Sequence, residues 1–177
     1  MNKTTKEAFL EAMEKQFGSD EALGVWFEVR DEAGRTLEKL SPAANAERML
    51  RLGLENPDAS AYLPHGGSAT CCTDYAMHIY LALPGRVVIF GFSNEDNPTS
   101  RFAQEAMAEG HDFAIVDKRY IVDPWPRLVP AEFNQMVFDL EDAVDAALVL
   151  DIYGPRDCWE WCEGTEKFAN KEYARSA

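Results

Sequence analysis

The hydrophobic pattern changes period several times along the chain, and each change predicts an element. Phe9, Leu10, Met13 and Phe17 recur at helical spacing over residues 4–17, with Thr4 or Thr5 able to cap the start and Gly18 to end it. Between 23 and 40 the pattern becomes an alternation. Val25, Phe27 and Val29 share one face, Asp31-Glu32-Ala33-Gly34 reads as a turn, and 36–40 resumes, which predicts a hairpin or edge strand pair. Ser41-Pro42 is a helix start, serine as cap and proline at the first helical position. Ala46, Met49, Leu50 and Leu54 carry that helix to Asn56-Pro57, which stops it.

A loop over 58–69 contains His65-Gly66-Gly67, and the apolar run that follows, 72–83, is spaced for a buried helix through Tyr75, Ala76, Ile79, Tyr80 and Leu83. Pro84-Gly85 breaks it. Residues 86–92, rich in β-branched and aromatic side chains, predict a strand. Asn97-Pro98 reads as the opening of a helix running to about Glu109. Gly110 introduces two strands, 112–116 and 119–122, with a tight turn at Asp117-Lys118, and Asp123-Pro124-Trp125-Pro126 ends the sheet. Segments 130–138 and 140–150 look helical, 157–163 adds a turn or two, and the tail after Gly164 is polar and expected to fray. With no repeat, low-complexity tract or linker, a single domain over 1–177 is expected, long enough for one hydrophobic core.

Charge narrows the partners. The chain has 17 basic residues against 31 acidic, a net of -14, which repels a phosphate backbone and argues against nucleic acid. No stretch approaches the roughly 18 uninterrupted apolar residues of a membrane helix. The N-terminal MNKTTKEAFLEAMEK has no secretory pattern, so a soluble, cytoplasmic protein with no membrane partner is expected. The four cysteines stand at 71, 72, 158 and 162. Adjacent cysteines rarely bridge each other, Cys158 and Cys162 have helix-face rather than zinc-knuckle spacing, and only three histidines (65, 78 and 111) are present. Free thiols and no metal site are the expectation.

The chemistry gathers around one cysteine. A thiol at the head of the helix beginning at Cys72 feels the positive end of the helix dipole and unpaired N–H groups, which favour the thiolate and can also stabilise an oxyanion. His111 and Asp123 flank the strand hairpin, so an aspartate there can fix the tautomer and orientation of a histidine base. Only Cys72 must then be brought in from another element.

These residues resemble the transglutaminase-like superfamily, a branch of the papain-like cysteine enzymes. Cys72-Thr73-Asp74-Tyr75-Ala76 is similar to the C-x-D-Y-A start of that family's nucleophile helix, and Leu83-Pro84-Gly85-Arg86-Val87-Val88 to its link into the next strand. His111-Asp112-Phe113 and Tyr120-Ile121-Val122-Asp123-Pro124-Trp125 resemble its histidine–aromatic strand and V-D-P-x strand end, so the likeness spans about residues 70–126. It implies an α+β, papain-like fold in which an antiparallel sheet packs against helices, the nucleophile helix among them. It further implies Cys72 as nucleophile, His111 as base and Asp123 as the third member, with no metal or organic cofactor. The activity implied is acyl transfer on a peptide or protein substrate, with hydrolysis of an amide (peptide or isopeptide) bond favoured over deamidation or cross-linking because no second-substrate module is visible.

The chain departs from the family pattern in places. Its hairpin is short, and Asp112 puts a second carboxylate beside His111. Cys71 precedes the nucleophile, turned about 100° away by helical geometry, and reads as packing or a resolving thiol. No side chain stands out for an oxyanion hole; Tyr62, His65 and the backbone at Cys72 are candidates. Against the catalytic reading, Asp123 before proline can be a plain turn-former, Trp125 a core or rim aromatic, and His78 partly buried packing. Trp159-Glu160-Trp161 with its flanking cysteines reads as an amphipathic cap over the core. The rival functions are a non-catalytic adaptor on the same scaffold and a small-molecule acyltransferase of the arylamine N-acetyltransferase kind. Oligomeric state is not legible.

Overall fold

The computed structural model describes residues 4–53, 61–64, 71–130 and 132–162. Helix α1 (Thr5–Phe17) opens on a reciprocal capping box: the Glu7 N–H donates to Thr4 Oγ1 at 3.2 Å and the Thr4 N–H to Glu7 Oε2 at 2.8 Å. Its buried side presents Met13 and Phe17. A single turn, α2 (Asp20–Leu23), is capped by Ser19 and closes on Gly24 at φ 71°, the left-handed region glycine enters without strain. Leu23 and Val25 are thereby delivered to the core before the strand begins.

The expected hairpin is β1 (Trp26–Arg30) and β2 (Thr36–Leu40), antiparallel, its turn closed by Asp31 accepting from the N–H groups of Ala33 and Arg35. Helix α3 (Pro42–Leu52) starts at the Ser41 cap as expected but ends earlier, at Gly53 with φ 63°. Its buried positions are Asn45 and Met49, and Leu50 is 85% exposed. The short β3 (Ala61–Tyr62) adds to the other edge of β1, giving the order β2-β1-β3. His65, the Asn56-Pro57 stop and the tail after Gly164 lie outside the described residues.

The second sheet positions the candidate chemistry. Helix α4 (Cys72–Ala82) is followed by β4 (Val87–Ser93), a single turn α5 (Arg101–Gln104), β5 (Gly110–Val116) and β6 (Tyr120–Val122). Then come α6 (Trp125–Leu128), β7 (Val137–Asp139), α7 (Ala143–Tyr153), a 3-10 turn (Arg156–Cys158) and β8 (Glu160–Trp161). The five strands run β7-β6-β5-β4-β8, every pair antiparallel, and α4 packs across β5 and β4. The protein is thus α+β, with antiparallel sheets packed against helices. Between β5 and β6, where Val116 pairs with Tyr120, Asp117 and Lys118 both take positive φ (52° and 58°) in a turn closed by the Arg119 N–H donating to the Val116 carbonyl at 3.1 Å.

Three expectations fail here for identifiable reasons. The helix expected from Asn97 to Glu109 contracts to one turn capped by Ser100. Asn97 is buried and spends its amide on the Tyr153 carbonyl (2.8 Å), and Ala106 at φ 51° turns the chain out of helix. Segment 130–138 yields β7 instead of a helix, because Val137 and Phe138 pair with Val122 and Ile121 and seal the sheet edge. Segment 157–163 gives the 3-10 turn and then β8, which pairs with β4. Cys158 and Cys162 therefore share no helix face.

One buried core joins the layers, with Phe17, Tyr75, Ile79, Phe113, Val116, Ile121, Phe138 and Tyr153 in contact. Its rim is clipped by Asp139, buried, which accepts from Arg119 at Nε and Nη2 (2.8 Å each) and has Lys6 at 3.5 Å. The Arg119 hydrogen bonds, working against burial, hold the Asp139 carboxyl down at about 2. Among the described residues no helix is long and apolar enough to cross a membrane.

Candidate active site

Cys72 is the first residue of α4, half-buried, and Cys71 is its exposed N-cap. Cys71 makes no side-chain capping bond, and its carbonyl accepts from the N–H groups of Asp74 (3.2 Å) and Tyr75 (3.4 Å). Cys71 is not a packing residue.

His111 and Asp123 come from adjacent strands. The β5–β6 register pairs Ala114 with Val122, so the next step out sets Asp123 opposite Phe113, diagonal to His111 on the same face. The diagonal is short enough for a direct bond: His111 Nε2 lies 2.6 Å from Asp123 Oδ2, with both residues 2% exposed. The same oxygen accepts from the Tyr153 hydroxyl at 2.9 Å, and Oδ1 from the Trp125 N–H at 3.3 Å. Asp123 is therefore committed at both oxygens. The turn-former reading is partly right, since the Trp125 bond is a local one, but the carboxylate also reaches across the sheet.

The imidazole is enclosed by rings. Phe102 stacks on it (3.9 Å, 15°), and Trp125 lies 5.3 Å away. Trp125 is a core aromatic, 6% exposed. With Nε2 on Asp123, the other nitrogen, Nδ1, is buried and has no hydrogen bond of full geometry. The Cys72 thiol is the remaining polar group acting on the ring. Burial pulls the imidazole pKa down, while Asp123, by charge and hydrogen bond, and then Cys72 push it up, to about 9. An imidazolium beside Cys72 is thus favoured at neutral pH, the state that supports a thiolate.

Where Cys72 meets His111, Thr73 meets Asp112: its hydroxyl donates to Asp112 Oδ2 at 2.6 Å. Adjacent residues on the helix thereby engage adjacent residues on β5. Cys162 Sγ approaches Asp112 Oδ1 at 3.8 Å, and burial, followed by Asp112, pushes that thiol up to about 11. Gly91, paired with Asp112 across β4–β5, leaves the room; a Cβ there would overlap Asp112 Oδ1. In front of these residues opens a cleft of about 470 Å³, lined by Cys72, His111 and Asp112 and bounded on one side by Trp161, which is 59% exposed. Trp159 caps the core as expected, edge-on to Phe113 at 5.0 Å, whereas Trp161 lies on the edge strand β8 and is exposed.

Cys72, His111 and Asp123, the three candidates from sequence, thus converge on one site. Tyr62 is elsewhere, its hydroxyl accepting from Arg30 in the small sheet (2.5 Å), and His65 lies outside the described residues. His78 is buried, edge-on to Phe17, away from the cleft lining. Tyr153 and Phe102 were not legible: each stands in an ordinary apolar pattern, and nothing local marks a tyrosine whose partner lies 30 positions away. Among the described residues no group of three His, Cys, Asp or Glu is placed to hold a metal ion. Set against protein-family models, curated proteins and solved structures, the chain matches none of them.

Proposed function

We propose that the chain is a cysteine-dependent acyl-transfer enzyme with a papain-like, transglutaminase-like scaffold, hydrolysing an amide bond through a thioester on Cys72. The observation that carries this reading is the buried His111–Asp123 bond at 2.6 Å, which leaves the other ring nitrogen to the thiol at the head of α4. An ordinary core histidine has no need of a committed carboxylate, a stacked Phe102 and a thiol on its second nitrogen. The crossing of α4 over the strand that carries His111 supports the scaffold.

In the proposed reaction the proton shared between the Cys72 thiol and His111 already sits on the imidazole, and the sulfur attacks the amide carbonyl as the thiolate. The tetrahedral oxyanion forms near the backbone N–H of Cys72, where the positive end of the α4 dipole opposes its charge. Collapse breaks the C–N bond, and the imidazolium returns its proton to the leaving amine. Water, deprotonated by the same nitrogen, then attacks the thioester, and the acid leaves as the thiol is restored. Asp123 holds the ring and opposes the positive charge throughout without taking the proton.

Iodoacetamide alkylation followed by peptide mass mapping tests the nucleophile. Cys72 is expected to react fastest of the four thiols at neutral pH, and Cys72→Ala to abolish that phase. Hydrolysis of a fluorogenic peptide amide library is expected to vanish in the same variant. Slow, even labelling of all four cysteines would leave a non-catalytic adaptor instead.

A further inference from the structure

Val88 and Ile115 are cross-strand partners, and Phe90, on the same side of β4 as Val88, pairs with Trp161 of β8. Their side chains lie on the face of the large sheet opposite to Ile89, which packs on Ala76 and Met77 of α4. Leu140 and Trp159 border them, and together they form a groove of about 410 Å³. That is within the roughly 300–1,000 Å³ of small-molecule pockets. Its only charged lining residues are cations, Lys118 from the β5–β6 turn and Arg156 from the 3-10 turn. In a chain with 31 acidic residues against 17 basic, this reverses the prevailing sign of the surface.

Neither cation is neutralised within the groove. Arg156 lies over the Trp159 ring (5.9 Å) and gives one N–H to the Leu140 carbonyl (3.3 Å). Among the described residues the ion pairs reach neither Arg156 nor Lys118. The carboxylates flanking the groove are engaged elsewhere: Asp117 is held at both oxygens by Arg86 (2.9 and 2.5 Å), and Glu141 pairs with Arg119 (2.8 Å). Asp157, next to Arg156 in the chain, is exposed and outside the lining. The small sheet shows the contrast. There Lys39 over Trp26 and Arg30 over Tyr62 are both balanced by Glu28, at 4.0 and 2.8 Å.

We propose that this groove binds a small amphiphilic anion, a flat aromatic body carrying one carboxylate. The body lies against Phe90, Trp159 and Trp161, whose rings suit offset or edge-on packing. The carboxylate is taken by Arg156, whose planar fork matches it, and by Lys118. Binding does not require Cys72 to be a nucleophile, since the groove and the catalytic cleft have only Trp161 in common.

The probe is 2-naphthoate, compared with neutral 2-naphthamide and cationic 2-naphthylmethylammonium, titrated calorimetrically into the full chain at neutral pH and low salt. The net charge of -14 works against the anion over the molecule as a whole, so a preference for naphthoate reports a local site. Naphthoate is expected to bind at one site about tenfold tighter than naphthamide, the scale of one charge-assisted hydrogen bond, and the ammonium weakest. In Lys118→Gln/Arg156→Gln, both exposed positions, that advantage is expected to vanish while naphthamide binds as before. Lys118→Gln alone is expected to remove part of it, which keeps a readout should the double variant lose its fold. Trp161→Ala is expected to weaken both ligands. Naphthoate binding no tighter than naphthamide, or an advantage that survives the double variant, would overturn the anion site. So would a dimer in sedimentation that Trp161→Ala dissociates, because the groove would then belong to a second copy of the chain.

Discussion

His111 and Asp123 are joined by a 2.6 Å hydrogen bond from diagonal positions on neighbouring strands, and neither residue is more than 2% exposed. The charge of Asp123 is what lets a fully buried imidazole hold a proton. In Asp123→Asn that charge is gone and burial is opposed only by the smaller effect of Cys72, so the imidazole pKa falls below 9. The proposed amide hydrolysis should then lose about a hundredfold or more in kcat, and its alkaline limb, near pH 9 in the native chain, should move toward acid. A pH–rate profile checks this; a limb that stays near 9 in the variant would show that His111 is not its source.

Tyr153 acts on the same carboxylate oxygen from the opposite side, donating at 2.9 Å from a fully buried position. Its own location is fixed from three directions. Asn97 and the Trp159 indole donate to its carbonyl (2.8 and 2.9 Å), and Gly154 beyond it holds φ 70° where a Cβ would strike Asn97. Tyr153→Phe removes one donor from a charged acceptor and should cost about 1.5–3 kcal/mol in stability. The carboxylate, less well solvated, should grip the imidazolium harder, so the alkaline limb should move up, opposite to Asp123→Asn. Generic loosening of the core would lower kcat without moving the limb, and that result would demote Tyr153 to packing.

The same pair makes folding pH-dependent. His111 titrates at about 9 in the native state, above its ordinary 6.5. Its contribution to stability is therefore complete below about pH 6.5 and is lost as the pH rises through about 9. At about 1.4 kcal/mol per unit, the amount is on the order of 3 kcal/mol. Urea midpoints measured from pH 6 to 10 should fall across this window in the native chain and stay nearly level in His111→Gln. An equal decline in both would assign the loss to other groups.

How much of this was legible in the sequence depends on how locally each feature is encoded. The Thr4 and Ser41 caps, the Asp117-Lys118 turn and the apolar run of α4 are decided within a few residues, and they stand where the pattern predicts. Cys72, His111 and Asp123 were findable because chain order and a short hairpin bring two of them together. The failures are non-local. Segment 130–138 becomes a strand because β6 presents a free edge, and residues 97–109 lose most of their helix because Asn97 is bonded to Tyr153. The three short strands β3, β7 and β8 are too brief to show a period of two. Tyr153 and Phe102 were missed for a related reason: their partners are set by packing, which leaves no spacing to read.

Gly91 offers a test of how the floor of the cleft is held. An alanine there would push its Cβ into Asp112 Oδ1 and press on the His111 carbonyl at 3.2 Å. The carboxylate is the end of a movable side chain and can swing away, but only by giving up its bond to Thr73, the residue beside Cys72. Gly91→Ala should therefore cost about 1–3 kcal/mol, the usual scale of overpacking, and slow iodoacetamide labelling of Cys72 several-fold as the head of α4 shifts. The double variant Gly91→Ala/Asp112→Ala removes the overlapping atom and leaves only the milder backbone contact. It should recover most of the labelling rate while lacking the carboxylate. Recovery would show that Asp112 transmits the disturbance to α4. An unimproved double variant would instead make the backbone pressure at His111 the cause, and the Thr73–Asp112 bond would have no part in positioning the thiol.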